Sequence, residues 1–222
     1  MTGFATIIPA RGGSKGIPRK NLMDFCGKPL IAWSIEQALA SSAARGVFVS
    51  TDDAEIAEVS GRYGAKVIRR PAELAADTTG MEPVIAHALR EVGGVDLAVH
   101  LQPTSPVRKP SDIDGAVEAL LASGADCVFS AAKLDDVCLW RDGPLESVTF
   151  DHRDRGRRQD RKPYYLENGS IYVFRPQNMA LGGRLSGRIE MFLMPMWRSF
   201  EIDSREDAEV CEMFMRRLLA GG

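Results

Sequence analysis

Residues 10–21, Ala10-Arg11-Gly12-Gly13-Ser14-Lys15-Gly16-Ile17-Pro18-Arg19-Lys20-Asn21, combine four cations with three glycines. Glycines let backbone N–H groups converge on an anion through conformations that other residues avoid. Arginine grips phosphate oxygens through its planar fork, while lysine supplies a point charge. That chemistry suits a polyphosphate. The segment is neither GxxxxGK[ST] nor GxGxxG opening a helix, so the usual ATPase loop and the dinucleotide fingerprint are excluded as written. Near the other end, Glu201-Ile202-Asp203 places two carboxylates two residues apart. Strand alternation would turn both to one face, and hard oxygen ligands of this kind suit Mg²⁺. The four cysteines form no CxxC pair and the three histidines are scattered, so no zinc-type spacing exists and reduced, partly buried thiols are expected.

Elements must hold these groups together. Residues 4–9 read as a buried strand that stops at Pro9, and Pro29 opens a helical pattern where a first turn tolerates proline. Strands follow at 46–50, 65–68, 96–101 and 126–131, alternating with helices near 53–61, 83–92 and 111–122. Such alternation predicts right-handed crossovers and an α/β fold, a doubly wound, largely parallel sheet. Residues 133–170 break the rhythm, with many charges and no clean period, and read as an excursion from the sheet. Strands near 170–174 and 189–194 and a helix capped near Ser204 complete the pattern. ARGGSKG, STDD, LQPTSP and EIDS are read as sitting immediately after predicted strands. In doubly wound sheets that is where ligands collect.

The chain has 222 residues, 45% hydrophobic and 26% charged, with a formal net charge of -2. One domain over residues 1–222 fits that length. The balance offers no global attraction to nucleic acid or to an anionic membrane, so a polyanion must meet a local cluster. Five arginines fall between Arg153 and Arg161, but Asp151, Asp154 and Asp160 dilute them. No apolar run is long enough to cross a bilayer and no signal-peptide pattern opens the chain, so a cytoplasmic protein is expected.

Taken together, the motifs resemble those of the bacterial N-acylneuraminate cytidylyltransferases and their relatives for other nonulosonic acids. The residues that carry the resemblance are Ile7–Asn21, Leu101–Arg108 (LQPTSPVR), Arg158-Gln159-Asp160, Asn168–Tyr172 (NGSIY) and Ile202–Asp207. Each motif is weak alone, and their order across almost the whole chain is specific. The resemblance implies a Rossmann-like nucleotidyltransferase fold and a homodimer in which the excursion reaches toward the partner. It also implies a reaction: CTP and a nonulosonic acid give a CMP-sugar and pyrophosphate, with Mg²⁺ on the phosphates.

Residue by residue, the resemblance implies that Arg11, Lys15 and Lys20 meet the triphosphate, with Ala10, Gly12, Gly13, Ser14 and Asn21 around the nucleotide. It implies that Arg70 lies near the nucleotide and that Asp77-Thr78-Thr79-Gly80 form the turn around cytosine and ribose. Gly80 stands where relatives often carry serine, and Thr79 is the substitute hydroxyl. Gln102, Thr104, Ser105 and Arg108 are implied on the sugar side, joined by Arg158, Gln159, Tyr165 and Asn168 from the excursion. Tyr165 and Tyr172 also fit a core or interface role, and Arg158 a solvated surface. Asp203 is the first metal candidate. Glu201 replaces the first aspartate of a D-x-D pattern and acts directly, through water, or not at all. Asp207 reads as a helix cap partner or a functional carboxylate. Phe174, Met179 and Leu181 are apolar candidates for receiving an acyl group.

Two other readings compete. A CMP-Kdo synthetase resembles R-x-x-S-x-R-L-P-x-K in this loop, which Lys15-Gly16 interrupts here. A non-enzymatic nucleotide-binding regulator would retain the loop without needing Arg11, Lys20, Gln102 and Asp203 together.

Overall fold

The computed structural model of the chain describes residues 4–41 and 44–221. One sheet contains β1 (Phe4–Pro9), β2 (Ala44–Thr51), β3 (Lys66–Arg69), β4 (Leu97–Leu101), β5 (Cys127–Leu134), β6 (Tyr164–Phe174) and β7 (Ile189–Leu193). Their spatial order is β7-β5-β6-β4-β1-β2-β3. β6 runs antiparallel to both neighbours, and the other pairings are parallel. The α-helices are α1 (Leu30–Leu39), α2 (Ala54–Arg62), α3 (Met81–Val92), α4 (Pro110–Ser123) and α5 (Arg205–Leu219).

The sheet is covered on both faces because its strands are apolar on both. Phe4 and Ile8 of β1 pack with Ile31 and Ile35 of α1, Ile56 and Val59 of α2, and Ile113 and Val117 of α4. Ile7 points the other way, toward Ile85 and Ala88 of α3. A third apolar cluster joins Ile17 of the basic loop to Phe25, Trp33, Ile202 and Met215. Full burial of such a side chain contributes roughly 1.5–3 kcal/mol, so Ile17 anchors the loop against α5 and the segment before it.

Helix starts follow local chemistry. Asp53 caps α2, accepting from the N–H groups of Glu55 and Ile56, both at 2.9 Å. Ser204 and Asp207 form a reciprocal capping box at α5. Asp207 therefore takes the structural of its two expected roles. A cap of this kind contributes about 0.5–2 kcal/mol.

The chain runs from β1 outward to β2 and β3, then returns to β4 on the other side of β1. The strand order switches between β1 and β4, which opens a crevice at their C-terminal ends.

Two elements differ from the expectation. Residues 164–170 are not irregular: Tyr164–Glu167 pair with Leu134–Ala131, so β5 and β6 extend the sheet as a two-stranded arm. A small hairpin, Trp140–Arg141 with Glu146–Ser147, lies in the connection between them. Flanking charges hid this ladder in the sequence. Glu201–Asp203, expected on a strand, is an irregular segment before α5. Alternation survives locally, because Ile202 is fully buried and its N–H donates to the Thr104 carbonyl at 2.8 Å. No helix among the described residues is long and apolar enough to cross a membrane.

Candidate functional site

A cleft of about 420 Å³ occupies the switch point. The basic loop contributes Arg11, Ser14, Lys15, Gly16, Lys20 and Asn21; the β3–α3 connection contributes Arg70, Asp77 and Thr79. Gln102 and Thr104 enter from the end of β4, and Glu201 and Asp203 from the segment before α5. Residues from the ARGGSKG, LQPTSP and EIDS motifs thus share one cavity with the β3–α3 connection, while STDD lies behind it, with Asp52 bonded to the basic loop.

Local bonds shape the loop. The Gly12 N–H donates to Asp52 Oδ1 at 3.1 Å, and Asn21 Nδ2 donates to the Arg11 carbonyl at 3.1 Å. Arg19, in the left-handed region at φ 56°, is tied to Asp53 and Glu55. Asp52 and Gly16 were missed as functional residues. The STDD motif after β2 was the available signal for Asp52. Gly16 packs so closely on the Asp203 backbone carbonyl that a Cβ would collide with it. Glycine is required there by the close approach.

The three expected phosphate cations all face carboxylates. Arg11 Nη1 lies 2.8 Å from Asp77 Oδ1, and Lys15 Nζ lies 2.9 Å from Asp77 Oδ2. Lys15 holds the Asp77 carboxyl below its usual range; burial opposes this, and Arg11 adds to the lowering. Lys20 Nζ donates to the Ile202 carbonyl at 2.7 Å and to Asp203 Oδ1 at 2.9 Å. Its side chain is largely buried while Asp203 is exposed. Glu201 Oε1 accepts from Thr104 Oγ1 at 2.7 Å.

Among the described residues, no group of three or more His, Cys, Asp or Glu side chains is placed to hold a metal by itself. Two cleft-facing carboxylates do fit Mg²⁺, which typically takes one or two carboxylates and completes its shell with phosphate oxygens and water.

Where the nucleoside is expected, Arg70 is buried and donates through Nη2 to the Ser50 carbonyl at 2.7 Å. Burial lowers its pKa, and the nearby Asp52 charge opposes that. Thr79 Oγ1 donates to the Glu73 carbonyl at 2.9 Å, so its hydroxyl serves the turn. Thr78 is exposed and does not line the cleft. Ala10 is buried, and its N–H extends the sheet to the Ser50 carbonyl. Gly13 is exposed at the outer side of the loop. Leu74, Ala76, Met81 and Val84 form an apolar wall that the sequence reading overlooked. Met81 and Val84 stand three apart on α3, which was the visible signal.

Several sugar-side expectations require correction. Arg108 is fully buried, and its guanidinium donates to Ser170 Oγ, Ser34 Oγ and the carbonyls of Gln102 and Ser105. Burial lowers its pKa to about 9, with Asp112 opposing, which leaves it charged at neutral pH. It pins the loop that carries Gln102 and Thr104 and does not face the cleft. Ser105 is buried and donates to the Asn168 carbonyl at 3.2 Å. Asn168 is buried too, bonded to Ser130, Ser199 and the Ser170 N–H. All three are internal scaffolding because their polar atoms are already occupied.

Arg158 and Gln159 line a separate hollow on the arm with Lys133, Asp136 and Arg161. Tyr165 is exposed on the arm, paired opposite Lys133. Within one chain these residues stay outside the cleft. Tyr172 takes the core role: it is buried, stacks on His100 at 5.2 Å and donates to Glu167 Oε1 at 2.6 Å. Burial holds His100 well below its usual pKa and neutral. Phe174 is core, Met179 packs beneath α3 and Leu181 is exposed, so none of the three lines the cleft.

Comparison with known proteins accords with this geometry. The family described as Cytidylyltransferase matches residues 5–217. N-acylneuraminate cytidylyltransferase A of Danio rerio is 35% identical over 220 residues, covering 96% of this chain and 51% of that protein. The chain thus spans about half the length of this relative. CMP-N,N'-diacetyllegionaminic acid synthase of Legionella pneumophila is 37% identical over 177 residues, 75% of each chain. A solved CMP:2-keto-3-deoxy-manno-octonic acid synthetase in complex with CTP superposes with a TM-score of 0.74 at 19% identity, covering 97% of this chain and 99% of that one. At that identity the likeness speaks for the fold.

Proposed function

The chain belongs to the cytidylyltransferase family, and from that premise we propose that it transfers CMP from CTP to the anomeric hydroxyl of a nonulosonic acid, releasing pyrophosphate. The observation that carries the reading is the convergence of Arg11, Lys15 and Lys20 with Glu201 and Asp203 at one switch-point cleft. Cations for a triphosphate and carboxylates for its counter-ion meet in one place.

The sugar hydroxyl oxygen forms a bond to the α-phosphorus as the bond to the pyrophosphate oxygen breaks, and the hydroxyl proton passes to solvent water. Arg11 and Lys15 neutralise the departing phosphates, and Lys20, fixed by the Ile202 carbonyl, directs its charge to the reacting end. Alignment and preset charge supply most of the acceleration in such chemistry. Glu201 and Asp203 would hold Mg²⁺, which when bound offsets charge on the phosphates. Gln102 and Thr104 present an amide and a hydroxyl to the acceptor. The apolar wall of Met81 and Val84 suits the flat face of a base.

We place the protein in the cytoplasm as a homodimer. Leu139, Trp140, Leu145, Val148, Tyr164, Tyr165 and Leu166 are all exposed on or beside the arm. A second copy covering them would also bring Arg158 and Gln159 toward its partner's cleft. N-acetylneuraminate and legionaminate are the leading acceptors, supported by the names of the relatives above; no contact favours one.

A pyrophosphate-release assay with CTP, Mg²⁺ and a panel of nonulosonic acids and Kdo tests the reading. Turnover with a nonulosonic acid is expected. Turnover with Kdo alone would move the assignment to a CMP-Kdo synthetase. CTP binding without turnover on any acceptor would favour a nucleotide-binding regulator.

A further inference from the structure

Asp77 deserves a different role from the one the sequence suggested. Its two carboxylate oxygens are divided between Arg11 and Lys15, at 2.8 and 2.9 Å. Both cations belong to the basic loop, whereas Asp77 reaches them from the β3–α3 connection. All three side chains line the same cleft. The carboxylate therefore lies where the proposed triphosphate must make its own ion pairs. One carboxylate bridging two phosphate-binding cations is the arrangement of a bound anion.

The bridge is also built to open. Asp77 is about half exposed and Lys15 more so, so little packing holds the pair closed. The nearby turn is maintained by Thr79, whose hydroxyl and N–H bond to Glu73 and Ala76, without help from the Asp77 side chain. A polyphosphate carries several charges against the single charge of Asp77. It also presents more acceptor oxygens to the same donors.

We propose that Asp77 is a positioning residue that stands in for phosphate, holding Arg11 and Lys15 in place until a nucleoside triphosphate displaces it. The idea rests on the reading of the cleft as a nucleotide site. It adds selectivity: a weak anion must outcompete the built-in carboxylate, and only a multiply charged one does so well. It also couples nucleotide entry to release of the β3–α3 connection.

Calorimetric titration of the full chain tests this, with CTP plus Mg²⁺ and, separately, inorganic tripolyphosphate, for wild type and for Asp77→Asn. The variant should bind both ligands about tenfold more tightly, equivalent to 1.4 kcal/mol at 25 °C, and Asp77→Ala should act in the same direction. If Asp77 instead contacts base or ribose, the variants weaken CTP binding and leave tripolyphosphate unchanged, which overturns the proposal. Unchanged affinity for both ligands also overturns it. Tighter tripolyphosphate binding with no CTP binding by either form would keep the stand-in role and sink the nucleotide reading. Folded proteins that bind neither ligand would sink both.

Discussion

Replacing Arg108 with methionine separates a scaffold role from contact with the acceptor sugar. Methionine keeps much of the apolar stem and removes the fork. Four hydrogen bonds are lost, to Ser170, Ser34 and the carbonyls of Gln102 and Ser105. The serine hydroxyls can turn to other partners, and the Gln102 carbonyl keeps the Ser105 N–H at 3.3 Å, but the Ser105 carbonyl loses its donor. Leaving a buried polar group unsatisfied costs about 1–3 kcal/mol. Loss of the other charge-assisted bonds adds to this, and removing a buried cation returns part of it. A net destabilisation of about 1–3 kcal/mol is expected. At roughly 2–4 °C per kcal/mol for a chain of this size, Tm falls by about 2–12 °C. The loosened Gln102–Ser105 loop should also lower kcat by about 10–100-fold, since small misplacements carry that penalty. Urea unfolding, calorimetry and steady-state kinetics read all three quantities. Unchanged stability with a raised KM for the acceptor alone would refute the scaffold argument and return Arg108 to the sugar.

Other substitutions probe the remaining parts. Asp203→Asn removes one exposed ion pair worth less than about 1 kcal/mol, so Tm should barely move, while turnover falls roughly 100-fold and more Mg²⁺ is required; unchanged turnover and Mg²⁺ dependence reject the metal role. Gly16→Ala drives a Cβ into the Asp203 carbonyl and should weaken CTP binding at least tenfold, measured by titration. Bonds from Ser204 and Asp203 hold the Asp207 carboxyl below its usual range. Its stabilisation is therefore present above the unfolded pKa near 3.9 and lost as pH falls through the folded value. Asp207→Asn should flatten the acid limb of stability below about pH 4 in urea titrations at graded pH; an unaltered slope contradicts the capping account. Leu145, 71% exposed, should break the proposed homodimer when changed to Asp together with Leu139, and sedimentation of an intact dimer would dismiss the arm as interface.

The sheet was legible because apolar runs such as FATIIP and LAVHL are short and stand between clear turns, and length with flanking glycine and proline marks them as buried strands. The cleft was legible in outline because glycines, cations and carboxylates concentrate at strand ends. What escaped was the direction each polar side chain takes. Arg108, Ser105 and Asn168 lie in motifs rich in substrate-facing types, yet their donors and acceptors are spent inside the protein. Residue type reveals hydrogen-bonding capacity; only packing shows where it is used. Tyr164–Glu167 was lost for a related reason. An exposed ladder in a charged stretch lacks the apolar alternation that marks a strand.

Lys20 and Asp203 meet across 183 residues of chain. During synthesis at about 5–20 residues per second, the lysine leaves the ribosome roughly 10–40 s before its carboxylate exists. β1 can pair with β2 and β4 in that interval, because those strands arrive earlier. The cleft cannot close until the segment before α5 emerges and Gly16 seats against it. A chain halted short of that segment would keep Asp77 on Arg11 and Lys15 but leave Lys20 without its carboxylate, a basic loop without a reaction centre. Competence therefore follows the sheet, with the acidic segment acting as a seal added only after every strand has been made.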